Sequence, residues 1–116
     1  MAGEVVAISI AFGTREEALR VGKAVVEARL AACSQVHPIH SVYRWQGAVE
    51  EADEHMLVIK TTVETIEAVA AFVIARHSYE VPEIVAQTLS WVSPSYAEWV
   101  RASVGIGAGT KLDPPA

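Results

Sequence analysis

Residues 34–62 read SQVHPIHSVYRWQGAVEEADEHMLVIKTT, and this stretch decides the fold. Two runs within it, 34–45 and 55–62, are rich in β-branched and aromatic residues, which is typical of strands. Between them, Gln46-Gly47 supplies a turn. The pattern therefore predicts a long hairpin of two antiparallel strands, with the acidic residues 50–54 near its solvent end.

The rest of the chain alternates strand and helix signals around this hairpin. Thr14 and Glu17 form a capping box at the start of the first helix, and Ser93 followed by a proline marks the start of the last one. The predicted elements are a strand at 5–12, a helix from Thr14 to near Ala32, the two hairpin strands, a helix at 63–76, a strand at 83–89 and a helix from Ser93 to Arg101.

This order is β-α-β-β-α-β with an extra C-terminal helix, which predicts a ferredoxin-like α+β sandwich. We expect a single domain over residues 1–104, because the chain is too short for two cores. Residues 105–116 are rich in Gly and Pro and are expected to form a flexible C-terminal tail. The fold hosts many unrelated functions and so does not indicate one.

Composition limits the class of partner. Hydrophobic residues make up 52% of the 116 residues, a surplus that a small domain often hides in a subunit interface. The formal net charge of -5 disfavours nucleic acid. The single cysteine, Cys33, excludes an intrachain disulfide, and we find neither a signal-peptide pattern nor an apolar run of about 20 residues. We therefore expect a cytoplasmic protein that binds neither nucleic acid nor membrane.

The histidines and the cysteine raise the question of metal or nucleophile chemistry. His37 and His40 are three residues apart on a predicted strand, so they can share an ion only if Pro38 imposes a bulge. Cys33 could pair with His77 as a nucleophile, yet no Gly-rich oxyanion loop accompanies them. The sequence favours a protein that is not an enzyme, with a Cys33–His77 hydrolase as the minority interpretation.

Residues 77–84, HSYEVPEI, bring an imidazole, a phenol and two carboxylates into one short segment. Three interpretations are open: a metal site, an acid/base site, or a polar connection between a helix and a strand. Pro82 forces the residue before it to be extended. Lys60, inside an otherwise apolar strand, must reach solvent or meet a carboxylate such as Glu80 or Glu83.

Two aromatic residues stand near the hairpin turn. Tyr43 and Trp45 alternate along the strand and so share one face. Large aromatic side chains at the far end of a hairpin often anchor a neighbouring subunit. Together with Trp91 and Trp99 they could equally belong to the core, and the sequence leaves both interpretations open.

Five stretches spread along the chain carry a family resemblance. They are LAACSQV (30–36), YRWQGAVE (43–50), IKTT (59–62), HSYEVPEI (77–84) and SYAEWV (95–100). With these five in order, the chain resembles the CutA family of divalent cation tolerance proteins over about residues 5–103. The resemblance implies a ferredoxin-like protomer in a tight homotrimer, with long hairpins that extend the sheet of the next subunit.

The resemblance also implies where a site would form. Carried over residue by residue, the recurrent polar positions of the family gather in clefts between subunits. The implied ligand-cleft residues are Cys33, Tyr43, Trp45, Lys60 and Tyr79, and the implied metal ligands are His77, Glu80 and Glu83. Three positions depart from members that bind copper: Ile10 stands in place of a second cysteine, Arg76 in place of another histidine, and Ser78 in place of proline.

We therefore expect a trimeric divalent-cation tolerance protein that binds a metal ion, Cu(II) foremost, in or near the clefts between subunits. Imidazole and carboxylate ligands suit Cu(II), which also heads the affinity order of the divalent ions. The alternative is a signalling or scaffold trimer similar to the PII proteins, which binds a small ligand and no physiological metal.

Overall fold

The computed structural model describes residues 3–105, so the predicted tail lies almost wholly outside the described residues. The elements follow the predicted order. They are β1 Val5–Phe12, α1 Arg15–Glu27, β2 Cys33–Trp45, β3 Ala48–Thr62, a short 3-10 helix Val63–Thr65, α2 Ile66–Ile74, β4 Ile84–Thr88 and α3 Pro94–Ser103. The predicted α+β class is thereby confirmed.

The four strands form one sheet in the order β2-β3-β1-β4, and every neighbouring pair is antiparallel. Hydrophobic cores lie on both faces. The larger core packs α1 and α2 against the sheet and includes Val6, Ile8, Ile10, Phe12, Val21, Val25, Leu57, Ile59, Val69 and Val73. The smaller core lies under α3 and contains Val5, Ala32, Ala97 and Val100. Because β1 is covered on both faces, its sequence is an almost continuous apolar run, as predicted.

The strand β3 is much longer than its neighbour β1. β1 pairs with β3 only over residues 55–62, so residues 48–54 pair with β2 alone. At about 3.3 Å per residue, a two-stranded ribbon extends roughly 23 Å beyond the four-stranded part of the sheet. The prediction that this strand begins at residue 55 was wrong, because acidic residues of low strand propensity are held in the ladder by their pairing with β2.

The predicted turn of the hairpin is confirmed. Trp45 and Ala48 are the last pair of the ladder, which leaves a two-residue connection. Gln46 and Gly47 both have positive φ, at 49° and 81°. This is a type I′ turn, whose twist matches that of the strands it joins.

The helix α1 ends earlier than predicted, at Glu27. Arg29 has a φ of 63°, and its N–H donates to the Val26 carbonyl oxygen at 2.9 Å. The Leu30 N–H donates to the Val25 carbonyl oxygen at 3.1 Å. These two bonds close the helix as a Schellman motif, which usually has glycine where this chain has Arg29. Without that glycine, the sequence carried no stop signal.

Gly47→Ala should weaken the hairpin. An added Cβ at Gly47 would meet no other atom within 4 Å, so the cost is conformational alone, about 1–2 kcal/mol for a non-glycine residue in the left-handed region. Gln46→Asn should be neutral or stabilising, because Asn tolerates positive φ better than Gln. Urea unfolding at one fixed protein concentration measures both variants. Equal stability of Gly47→Ala and the wild type would contradict the turn assignment.

Candidate functional site

The His77 side chain is fully buried at the end of β1, and both ring nitrogens are hydrogen-bonded. Nε2 lies 2.7 Å from the Ala11 carbonyl oxygen, which can only accept, so Nε2 carries a proton. Nδ1 accepts from the Tyr79 backbone N–H at 3.0 Å. The ring also stacks on Phe12 with centroids 4.2 Å apart. His77 therefore ties the segment after α2 to β1, and binding an ion through this ring would require one of these bonds to break.

Glu17 holds the same segment from the side of α1. Its backbone N–H donates to Thr14 Oγ1 at 3.2 Å, which confirms one half of the predicted capping box. Its carboxylate accepts from the backbone N–H and the hydroxyl of Ser78, each at 2.8 Å. A proline at position 78 could make neither bond, so Ser78 converts this position into an anchor.

Tyr79 contacts the base of the ribbon. Its hydroxyl donates to Glu54 Oε2 at 2.7 Å, and Glu54 is only 8% exposed. Burial raises the pKa of Tyr79, and the hydrogen bond and charge of Glu54 raise it further, with smaller effects from Tyr43 and Glu17. The Tyr79 hydroxyl therefore lies close enough to Glu54 and Tyr43 for both to raise its pKa.

Glu80 and Glu83 have no hydrogen-bond or ion-pair partner within residues 3–105. Both are exposed. Glu80 lines an open groove of about 480 Å³ between α2 and β4, together with Glu67 and otherwise apolar residues. Glu83 stands immediately before the first residue of β4. Both carboxylates are therefore free to take a ligand from outside the chain.

Lys60 lies elsewhere on the sheet. Its Nζ donates to Gln35 Oε1 at 3.0 Å, and within residues 3–105 it meets neither Glu80 nor Glu83, the carboxylates that the sequence offered as one of two alternatives. The reason is the register: Lys60 pairs with Ala7 on β1, whereas Ile84, next to Glu83, pairs with Ile10. The ammonium group of Lys60 is left with a neutral partner.

Cys33 is the first residue of β2. Its Sγ is 3.3 Å from Tyr96 Oη, and burial, followed by the hydrogen bond and charge of Cys33, raises the pKa of Tyr96 to about 12. His77 binds β1 at the level of His37, which is about 13 Å along β2 from Cys33. Cys33 and His77 are not brought together in one chain.

The large aromatic side chains divide between core and surface. Tyr43 and Trp45 are 42% and 51% exposed near the tip of the ribbon, and Trp91 is 77% exposed after β4. Trp99 packs in the smaller core, with its ring 5.4 Å from that of Tyr96. The core interpretation therefore holds for Trp99 alone.

Pro38 introduces no bulge. It pairs with His55 in an unbroken register, so His37 and His40 lie on opposite faces and cannot bind one ion. Across residues 3–105, no three His, Cys, Asp or Glu side chains are arranged to hold a metal ion. A metal site of the implied composition would need ligands from a second chain.

Two residues of this region were missed by sequence reasoning. Glu17 carried a signal, the capping box, but that motif predicts only a local bond and not the contact with Ser78 across 61 positions. Glu54 was one acid among several in residues 50–54, and nothing in the sequence marked it as buried. Only the strand register brings Glu54 under Tyr79.

Comparison with known proteins identifies the family. The model of the CutA1 divalent ion tolerance protein family matches residues 6–103. The divalent-cation tolerance protein CutA of Thermus thermophilus is 42% identical over 103 residues, which cover 88% of this chain and 98% of that one. Protein CutA of Homo sapiens is 38% identical over 100 residues, covering 85% of this chain and 56% of the human one.

Solved structures of proteins from the same family have the same fold as this chain. The divalent cation tolerance protein from Thermus thermophilus superposes with a TM-score of 0.84 at 39% identity, covering 87% of this chain and 99% of that one. The periplasmic divalent cation tolerance protein CutA from Archaeoglobus fulgidus gives 0.85 at 34% identity, covering 87% and 99%. This chain belongs to the CutA1 divalent ion tolerance protein family, which is named for tolerance and not for a catalysed reaction. No helix within residues 3–105 is long and apolar enough to span a membrane.

Tyr79→Phe should change the alkaline stability profile. A raised pKa means that the folded protein holds the Tyr79 proton more tightly than the unfolded chain, so this stabilisation is present below about pH 10 and declines above it. We expect the wild-type free energy of unfolding to fall above that pH and Tyr79→Phe to fall less steeply. The variant should also lose about 1–3 kcal/mol at neutral pH, because buried Glu54 loses its donor.

Urea unfolding at pH values between neutral and about 11 measures both effects of Tyr79→Phe. Tyr43→Phe is the matched control, since that hydroxyl donates no hydrogen bond to Glu54. Parallel alkaline slopes for the wild type and Tyr79→Phe would contradict the assignment.

Proposed function

We propose that this protein acts as a homotrimeric divalent-cation tolerance protein and binds a divalent metal ion, Cu(II) foremost, in or near the clefts between its subunits. The observation that carries the proposal is the pair of exposed carboxylates, Glu80 and Glu83, which lack partners among residues 3–105 although the segment that bears them is firmly anchored. The family name supports the cellular role.

The ribbon supports the trimer. A two-stranded ribbon is marginally stable in water, and this one exposes apolar side chains on both faces, Tyr43 and Trp45 on one, Val42 and Val49 on the other. β4 lies at an edge of the sheet with half-exposed Val85. A ribbon that adds to the free edge of β4 in the next subunit would pair that edge and bring the exposed aromatic and valine side chains against a second chain. The strand order β2-β3-β1-β4 favours a ferredoxin-like protomer, in line with this proposal.

The metal ligands in this proposal are Glu80 and Glu83, completed by the neighbouring subunit. His77, also implied as a ligand, has both nitrogens engaged. In the proposal His77 therefore positions the carboxylates, and it can bind the ion itself only if the bond to the Tyr79 N–H opens. Cu(II) accepts oxygen ligands and heads the divalent affinity order.

A second candidate function is the binding of a small anionic ligand by a signalling or scaffold trimer. Lys60 favours it, because its ammonium has only the neutral Gln35 side chain as a hydrogen-bond partner within the described residues. In this version Cys33, Tyr43, Trp45 and Tyr79 line the cleft, and a neighbouring ribbon brings the two aromatic residues near Lys60. For either function we place the trimer in the cytoplasm, where a lone free thiol such as Cys33 persists.

Substitutions on the ribbon test the proposed trimer. The wild type should sediment as a species of three 12.5 kDa chains. Val42→Asp with Val49→Asp replaces the two exposed valines on one face of the ribbon by charged residues and should shift the species toward the monomer at micromolar concentration. Lys23→Asp, at an exposed position of α1, is the control for the added negative charge. A monomeric wild type would remove the cleft on which both candidate functions depend.

Titration calorimetry with Cu(II) in a competing buffer ligand tests the carboxylates. We expect Glu80→Gln with Glu83→Gln to weaken binding about tenfold or more, because amides replace the anionic ligands. His37→Gln is the control, since His37 is exposed and apart from the 77–84 segment. Unchanged Cu(II) affinity in the carboxylate variant would refute this site, and loss of anion binding in Lys60→Met would then favour the second function.

A further inference from the structure

His40 lies on the ribbon between two carboxylates. Nδ1 is 2.8 Å from Asp53 Oδ1, the residue directly opposite on β3, and Nε2 is 2.8 Å from Glu51 Oε1. All three side chains are exposed, by 56% for His40, 65% for Glu51 and 90% for Asp53. The ring therefore has an anionic oxygen at each nitrogen and solvent access to both contacts.

A neutral imidazole cannot satisfy both contacts. It has one N–H, which can donate to one carboxylate, and the other nitrogen presents a lone pair. That lone pair would face the lone pairs of a carboxylate oxygen at 2.8 Å, which is repulsive. A positive charge must lie in the second contact, and it can be a proton or a metal ion.

A divalent ion can enter this contact after a small movement of the Glu51 side chain. At the tetrahedral angle that zinc prefers, Zn–N bonds of about 2.0–2.1 Å and Zn–O bonds of about 2.0–2.2 Å separate nitrogen and oxygen by roughly 3.4 Å. The observed 2.8 Å is roughly 0.6 Å shorter, so the exposed Glu51 carboxylate must rotate away from Nε2 by about that distance to admit the ion. Asp53 then accepts the Nδ1–H of His40 and fixes the tautomer of the ring, as a carboxylate often does for a metal-bound histidine.

We propose that His40 Nε2 and Glu51 bind a divalent transition-metal ion on the ribbon, with Asp53 as the positioning residue on Nδ1–H. Glu51 is assigned as the ligand because Nε2 points away from the backbone and Glu has the longer reach. Water completes the coordination, since the chain supplies two ligands. The site is separate from the cleft carboxylates and rests on the proposed function only for the cellular role of the ion.

Zinc is the test ion, because it is diamagnetic and has no redox chemistry. In ¹⁵N-labelled protein, Zn(II) should shift the Nε2 resonance of one histidine with a saturable dependence on concentration. His40→Gln should abolish that response and His37→Gln should leave it, because His37 lies on the opposite face of the same strand. Asp53→Ala should weaken binding about 10–100-fold.

Asp53→Ala carries a second readout that a merely structural role would not move. In the zinc-bound wild type, the Nδ1–H of His40 should exchange slowly with solvent because it donates to Asp53, and this exchange should become faster in the variant. An Nε2 resonance of His40 that stays unmoved by Zn(II), or equal binding in His40→Gln, would overturn the site.

The two metal proposals are distinguished by a crossed pair of variants. Glu80→Gln with Glu83→Gln should leave the His40 response to Zn(II) intact, and His40→Gln should leave the Cu(II) site of the cleft intact. If Zn(II) does not shift the His40 resonance of the wild type while Glu80→Gln with Glu83→Gln still weakens Cu(II) binding, the ribbon site is refuted and the cleft site stands. If Zn(II) shifts that resonance while the two glutamate changes leave Cu(II) binding unchanged, the cleft site is refuted and the ribbon site stands.

Discussion

The inequality in length between β3 and β1 is the constraint on which the rest of the molecule depends. β3 spans 15 residues and β1 spans 8, so almost half of β3 has β2 as its sole neighbour in the sheet. Within the ribbon each strand pairs along one edge only, so the outer backbone groups of β2 and of residues 48–54 have no partner strand within the described part of the chain. The exposed apolar groups on the ribbon follow from this mismatch, and β4 is a free edge because it is last in the strand order. The proposed association of copies would cover both.

In the segment 77–84, the first three residues are anchored by hydrogen bonds and the two glutamates are not. His77, Ser78 and Tyr79 bond to β1, α1 and β3 respectively, through the Ala11 carbonyl oxygen, Glu17 and Glu54. These bonds fix the backbone of residues 77–79, whereas the Glu80 and Glu83 side chains are exposed and have no partner within residues 3–105. An anchored backbone reduces the ordering that a cation bound by these carboxylates would have to impose, and the side-chain ordering remains.

On the ribbon, carboxylates are again placed by the fold, here beside an imidazole. There the cross-strand register sets Asp53 opposite His40, and Glu51 approaches the other nitrogen from two residues further along the strand. Acidic residues that in the sequence resemble a solvated run thus have distinct roles: Glu54 is buried under Tyr79, whereas Glu51 and Asp53 engage an imidazole. The net charge of -5 is in this way partly concentrated at the two proposed cation sites.

Much of this architecture followed from the sequence, because its signals are local. Periodicity located the helices and strands, Gln46-Gly47 defined the hairpin turn, and five ordered stretches indicated the family that comparison then confirmed. Local signals failed where pairing or a rare backbone decided the outcome. The acidic half of β3 was missed because its partner strand holds it extended, and the end of α1 was missed because Arg29 occupies a position where glycine is usual.

The sequence by itself therefore determined the order of elements, the hairpin and the residues worth testing. Only the tertiary structure decided which of them meet. It separated Cys33 from His77, gave Lys60 an amide partner, engaged both nitrogens of His77, and joined His40 to Glu51 and Asp53. The physical reason is that a hydrogen bond acts over about 3 Å, and whether distant residues come that close is set by strand register and helix packing, which no local pattern encodes.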